Sequence, residues 1–173
     1  MAELSVHVPV IETERLILRE PRLSDLDAVI AFGTSDRARF VGGPMEPWQA
    51  WNSLMTGIGH WVVRGFGWWM VEDKASGKVA GRVGIGHHLD WPEPELGWHL
   101  YDGFEGRGLA YEAASAARNH AYSVMGFGPL ISLIDHDNHR SASLARRLGA
   151  VPEGEFNVRG DACVIYRHPK VLV

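Results

Sequence analysis

The residues best suited to chemistry lie in one short run, Glu105-Gly106-Arg107-Gly108-Leu109-Ala110. It joins a strand-like segment to a long helical one. Such a junction aims several backbone N–H groups into one small volume, with the positive end of a helix dipole behind them. Glycines let the chain approach a phosphate closely and adopt conformations closed to other residues. Arg107 adds a cation. The natural guest is a pyrophosphate, and an ordinary turn is the other reading. The run is not a Walker A loop, because no Gly-Lys-Ser/Thr follows. The third glycine of a dinucleotide fingerprint is replaced by Ala110 or Tyr111, depending on register.

Other clusters have plainer readings. Asn138 and Ser141 stand at a helix start, where both residue types are common as caps. His136-Asp137-Asn138-His139 places two histidines three apart, but no third ligand follows at motif spacing. A solvated loop without metal is expected there. Cys163 lies in the strand-like run Ala162-Cys163-Val164-Ile165 and reads as a small buried hydrophobe, not a nucleophile.

The elements that position these residues follow from period. Arg15-Leu16-Ile17-Leu18-Arg19 reads as a strand ended by Pro21. Ser24 and Asp27 have capping-box spacing before a helix through Leu26, Val29, Ile30 and Phe32. A second helix spans about 47–63, with Pro47 at its first position. Trp48 and Trp51 share one of its faces. Strands are expected at 67–72, at 78–86 with Val79, Val83 and Ile85 on one face, and at 95–100. In the last, Leu96, Trp98 and Leu100 oppose Glu95, Gly97 and His99. From Leu109 the period becomes helical, with Ala113, Ala116, Ala117, His120, Ala121 and Val124 on one stripe and Gly126 as the stop. A strand at 130–134, a helix at 138–148 and two closing strands near Phe156 and Tyr166 complete the chain. The order predicts a mixed α/β (α+β) fold around a twisted sheet.

Length and composition set the frame. The 173 residues fit one domain spanning 1–173, with no repeat, linker or low-complexity tract. The net charge of −4 gives no reason to expect nucleic acid as the main partner. One cysteine excludes an intramolecular disulfide and fits a reducing compartment. Met1 to Val10 lacks the pattern of a signal peptide, and no window approaches the ~20 apolar residues of a membrane span. A cytoplasmic protein without a membrane partner is expected.

The segment from Glu95 to Ala113, which contains Gly108-Leu109-Ala110-Tyr111-Glu112-Ala113, resembles the cofactor-binding core of the GNAT N-acetyltransferase superfamily. Glu14-Arg15-Leu16-Ile17-Leu18-Arg19 at the start and Asn138-x-x-Ser141 before Leu148-Gly149 resemble the branch that includes ribosomal-protein N-terminal acetyltransferases. The resemblance covers about residues 12–168. The family pattern is Gln/Arg-x-x-Gly-x-Gly/Ala. Gly108 and Ala110 match its last two positions, while Glu105 departs from the first.

The resemblance implies a mostly antiparallel sheet, splayed at the 95–100 strand and flanked by helices. It implies an acetyl-CoA-dependent N-acetyltransferase acting on a small-molecule amine or a protein N-terminus, and a homodimer. Gly106, Arg107, Gly108, Leu109 and Ala110 would hold the pyrophosphate. Leu100 would meet the pantetheine arm, with Asn138 on its amides and Ser141 near the sulfur. The tyrosine that protonates the thiolate in many relatives is replaced by Ala145, which leaves Ser141 as the hydroxyl for that task. A base is also required, because a protonated amine cannot attack a thioester. Glu95 is the first choice; His99, His87, His88 and Asp90 stay open. The substitutions at Glu105 and Ala145 also leave open a catalytically silent CoA-binding module, and the loop alone would suit a phosphate-binding interaction domain.

Overall fold

The computed structural model describes residues 6–170. Residues 1–5, part of the N-terminal stretch read above, and 171–173 lie outside the described residues. The elements in chain order are β1 (Ile11–Glu12), β2 (Leu16–Arg19), α1 (Leu26–Gly33), α2 (Pro47–Arg64), β3 (Trp68–Asp73), β4 (Lys78–Gly86) and β5 (Glu95–Leu100). They continue as α3 (Leu109–Ser123), β6 (Ile131–Asp135), α4 (His139–Arg147), β7 (Val151–Val158) and β8 (Asp161–Arg167). The strands form one eight-stranded sheet in the order β1-β2-β3-β4-β5-β6-β8-β7. All neighbours are antiparallel except β5 and β6, which run parallel and share the single register pair Glu95↔Ile131. The sheet therefore opens into a V beyond that pair, as expected for a splayed, mostly antiparallel α/β fold.

Alternation sorts the side chains into two layers. Trp69, Val83, Ile85 and Leu96 face Leu109, Ala113 and Ala117 of α3. The small alanines let the helix lie close to the sheet. Met70 and Tyr101 face Phe32 of α1 and Ala50 and Leu54 of α2 on the other side. Past the V, Ala142 and Ala145 of α4 pack on Ile134 and Tyr166.

Several sequence expectations change. Val79 does not share a face with Val83 and Ile85. The register shifts between Val71 and Glu72, so that β4 carries one extra residue and its parity inverts. Val79 packs on the α1–α2 side, and Ala80 replaces it in the α3 layer. The Ser24/Asp27 cap is also corrected. A 3-10 turn, Leu23–Asp25, precedes α1, and Asp25 accepts the Arg22 N–H at 2.8 Å. Asp25 has a heavier duty: its two oxygens accept from the Arg19 guanidinium at 2.8 and 3.0 Å, both residues being buried. Val124, just past the end of α3, is 69% exposed, and Arg118 within the helix is fully buried. The arginine donates to the Leu148 carbonyl at 2.5 Å and faces His168 Nδ1 at 3.2 Å. Trp48 and Trp51 are exposed on α2, so neither belongs to the core. Cys163 is buried as expected, its thiol pushed up to about 11 by burial first.

Candidate active site

The V between β5 and β6 follows from backbone parity. Tyr101 N–H donates to Ala80 on β4, so odd-numbered residues of β5 bond β4 and even-numbered ones turn toward β6. Pro94 still accepts the Ile131 N–H, at 3.4 Å. From there side chains replace the ladder. Ser132 Oγ donates to the Leu96 carbonyl at 2.6 Å, and Glu95 Oε1 accepts the Leu133 N–H at 2.9 Å. The strands can separate here without stranding buried backbone groups. Further along β5, Trp98 and Leu100 direct their backbone groups into the opening. The Leu100 carbonyl accepts from Arg37 at 3.0 Å, which leaves its N–H. A pantetheine arm, with amides spaced along an extended chain, suits such an unpaired strand edge. The sequence reading named Leu100 and missed Trp98, although counting by twos along β5 would have found it.

At the end of β5 the chain turns through the glycine run into α3. Gly106 and Gly108 have φ of +72° and +78°, a region that favours glycine. Gly108 is the residue before the first turn of α3, where N–H groups have no helical partner. A Cβ on Gly106 would meet nothing within 4 Å. The loop is thus open, strained for other residues and rich in free donors, which fits an anion such as a pyrophosphate. Glu112, one turn in, accepts from Thr13 Oγ1 at 2.6 Å and from Arg15 Nε at 2.7 Å, and Arg15 Nη1 grips the Arg107 carbonyl at 2.7 Å. The Arg15 segment therefore fixes the loop's position.

Arg107 is tethered to Asp73 at 3.3 Å, so its charge is shared before any ligand arrives. Sequence reading missed Arg37, a cation from the segment after α1. It pairs with Glu105 and also holds Asp102 at 3.0 Å. The departure at Glu105 is thereby offset from a distant part of the chain. No local sequence signal could have shown it.

Asn138 caps α4, its Oδ1 accepting the Ser141 N–H at 3.2 Å. Its amide NH2 is the group that could meet a ligand. Ser141 is partly exposed, whereas Ala145, one turn on, is fully buried. A tyrosine at 145 would have to displace that packing. α4 packs on β6, the strand whose Leu133 N–H Glu95 accepts.

The candidate bases separate clearly. Glu95 sits at the apex of the V with Trp91 Nε1–H donating to Oε2 at 2.5 Å. Burial pushes its carboxyl up to about 7, against the two hydrogen bonds that favour the anion. That value suits proton transfer near neutrality. His99 stacks on Phe32 at 4.6 Å, and burial followed by the Arg82 charge drives it down to about 3. Asp90 is held by Arg159 at 2.6 and 3.0 Å and lies below the usual carboxylate range for that reason. His88 is lowered by burial and then by His60, and its ring lies 4.6 Å from Trp91. His87 faces Arg64 at 3.1 Å. His136 pairs with Glu155 at 2.7 Å. Among the described residues, no group of three or more His, Cys, Asp or Glu side chains could hold a metal ion. No helix among them is long and apolar enough to cross a membrane.

A family model described as an acetyltransferase (GNAT) domain matches residues 15–151. The chain is similar to the crystal structure of an acetyltransferase from Agrobacterium tumefaciens str. C58. Identity is 34%, with 98% of this chain and 99% of that chain covered and a TM-score of 0.87. It is 25% identical over 154 residues to the uncharacterised N-acetyltransferase YoaA of Bacillus subtilis (strain 168), which covers 84% of this chain and 85% of that protein. The fold is also shared with RimL, a ribosomal L7/L12 α-N-protein acetyltransferase solved in complex with coenzyme A. There the identity is 18%, with 92% and 97% of the chains covered and a TM-score of 0.76.

Proposed function

We propose that this chain, which belongs to the GNAT acetyltransferase family and is an acetyl-CoA-dependent N-acetyltransferase, acetylates a primary amine by direct attack. The observation that carries the mechanism is the half-buried Glu95 carboxyl, held at the apex of the V by Leu133 and Trp91. Acetyl-CoA supplies an activated acyl group as a thioester. Gly106, Arg107, Gly108, Leu109 and Ala110 receive its pyrophosphate. Trp98, Leu100 and the Asn138 amide receive the pantetheine. Glu95 takes the proton that the amine loses as the new C–N bond forms. A backbone N–H near Leu100 stabilises charge developing on the acyl oxygen. As the C–S bond breaks, Ser141 gives its proton to the departing sulfur and is reprotonated from water, while Glu95 returns the amine's proton to solvent. The products are an amide and free CoA thiol. The acceptor is a small-molecule amine or a protein N-terminus. A silent CoA-binding module drew its support from Glu105 and Ala145; Arg37 neutralises the first, and Ser141 answers the second.

Acetyl-CoA is expected to raise the melting temperature by ligand linkage, and Gly108→Val to remove that rise. Valine is poorly tolerated at φ +78°, and its side chain would also intrude on the phosphate space. Circular dichroism of the variant separates the two effects. A folded Gly108→Val protein with an undiminished shift would mean that this loop is not the phosphate site.

Ser141→Ala is expected to lower kcat by about tenfold to a hundredfold, the low end for a positioned acid, with the acetyl-CoA KM little changed. Steady-state kinetics with an identified amine checks this. An unchanged kcat would remove the acid assignment.

A further inference from the structure

On the face of the sheet that carries Glu95, a second set of polar groups has no use in the mechanism above. Arg82 on β4 stands directly opposite His99 on β5. Tyr101 follows two residues later on the same face, 5.8 Å from the His99 ring. Phe32 stacks over His99, and Trp68 lies 5.8 Å from the Arg82 guanidinium. Arg82 is 6% exposed. Among the described residues its hydrogen bonding consists of one 3.3 Å contact to Ser53 Oγ. Among the described residues, Arg82 Nε, His99 Nδ1 and the Tyr101 hydroxyl are buried without a hydrogen-bond partner.

An arginine stays charged in proteins, so burying it without an anion is strongly unfavourable. Asp25, the carboxylate whose charge reaches Arg82, already serves Arg19 with both oxygens. The fold nevertheless makes room for the cation. Gly57 of α2 lies against the guanidinium, and a Cβ there would collide with it. The partners are also of one kind. Tyr101 is pushed up to about 12 by burial and keeps its proton, and His99 stays neutral with one N–H to offer. One fixed cation and two neutral groups that can each donate, with no carboxylate free to pair with the cation, make a receptor for an anion. Of the other buried arginines, Arg19 is paired with Asp25 and Glu72, and Arg118 donates through Nη1 to the Leu148 carbonyl and faces His168, although its Nε and Nη2 are also unpartnered among the described residues.

We propose that the acceptor amine carries a carboxylate, bound by Arg82 with His99 and Tyr101 while its amino group meets Glu95. The proposal rests on the acetyltransferase reading and deepens it. Four steps along the strand separate Glu95 from His99, about 13 Å between Cα atoms. The Arg82 guanidinium leans back toward Trp68, whose ring covers Gly97 between them. The amine and the acid are therefore several bonds apart, as in a short peptide or an ω-amino acid, and not on one α-carbon.

The test uses two matched pairs: triglycine against triglycinamide, and 6-aminohexanoate against 6-aminohexanamide. Transfer is followed by CoA release, and binding to the CoA-loaded protein by calorimetry. The carboxylate member of a pair is expected to be favoured about tenfold or more in kcat/KM, the range for a hydrogen bond to a charged group. Arg82→Met is expected to erase the ratio while retaining the melting-temperature rise with acetyl-CoA. Arg82→Lys should keep part of it. A purely structural arginine would change both members alike. Equal use of both members, a ratio that survives Arg82→Met, or failure of both pairs to bind or react overturns the carboxylate site. A persisting acetyl-CoA shift in those cases leaves the cofactor reading intact.

Discussion

Replacing Glu95 by glutamine is expected to lower kcat/KM at pH 8 by about 10²–10⁴-fold and to erase the acidic limb of its pH profile. Burial lifts this carboxyl to about 7. A base works only when ionised, so the wild-type rate should rise through pH 7 and level off above it. Below that point it should fall about tenfold per unit, as the protonated fraction grows. Glutamine cannot accept a proton at any of these values. The loss is therefore largest above pH 7, where the wild-type carboxylate is ionised, and it shrinks toward pH 5. Linkage gives an independent check. A carboxyl whose folded pKa exceeds its unfolded value favours the folded state at low pH, and this contribution is lost as pH rises from about 4.5 through about 7. The variant should lack that dependence. The Glu95→Gln side chain has one carbonyl oxygen for two donors, Leu133 N–H and Trp91 Nε1–H, so a loss of about 1 kcal/mol is expected from the unmet donor. Rate profiles from pH 5 to 9, with melting temperatures at each pH, separate the effects. An unaltered profile would move the base to His88, His87 or water.

Asp25→Ala is expected to destabilise the protein by about 3–5 kcal/mol, the usual range when one partner of a buried ion pair is removed. Arg19 is bound by both Asp25 oxygens and, through Nε, by Glu72 at 2.7 Å. The Asp25 and Arg19 side chains are 2% and 8% exposed, whereas that of Glu72 is 25% exposed. Alanine leaves a nearly buried guanidinium with one partly solvated carboxylate, Glu72, and the Glu20 carbonyl. It also leaves the Arg22 N–H unbonded at the turn into α1. For a chain of this size the melting temperature should fall by about 6–20 °C. Glu72→Ala should lose far less, because water can replace an exposed carboxylate. Urea titration of both variants tests the order. Equal stabilities would mean that Asp25 does not carry the pair.

Where the sequence was legible, local rules sufficed. Pro47 marks the first residue of α2, and β4 and β5 run over the expected residues. The alternation of β5 sends Leu96 and Trp98 to the α3 side and His99 to the α1 side, as its period demanded. The glycine run sits at a helix start with positive φ at Gly106 and Gly108, because only that backbone completes the turn. Asn138 caps α4, as its residue type suggested. Val79 escaped because a bulge is a property of the strand pair, not of either strand alone.

The linear order of residues, then, determined the elements, the fold class, the glycine turn at the start of α3 and the placing of Glu95 on the face opposite Leu96, since each depends on neighbours within a few positions. What depends on distant partners was decided only by the tertiary structure. Arg37 reaches Glu105 from a remote part of the chain, and Asp25, which the capping-box reading of Ser24 and Asp27 passed over, pairs with Arg19. Glu95 acquires its raised pKa from burial beside β6, and Arg82 Nε and His99 Nδ1 are shut away from water by Phe32 of α1 and Gly57 of α2. Desolvation and charge pairing act through space in a medium of low dielectric. No local spacing encodes them, so the site's chemistry emerges only when the sheet has opened and the helices have closed on it.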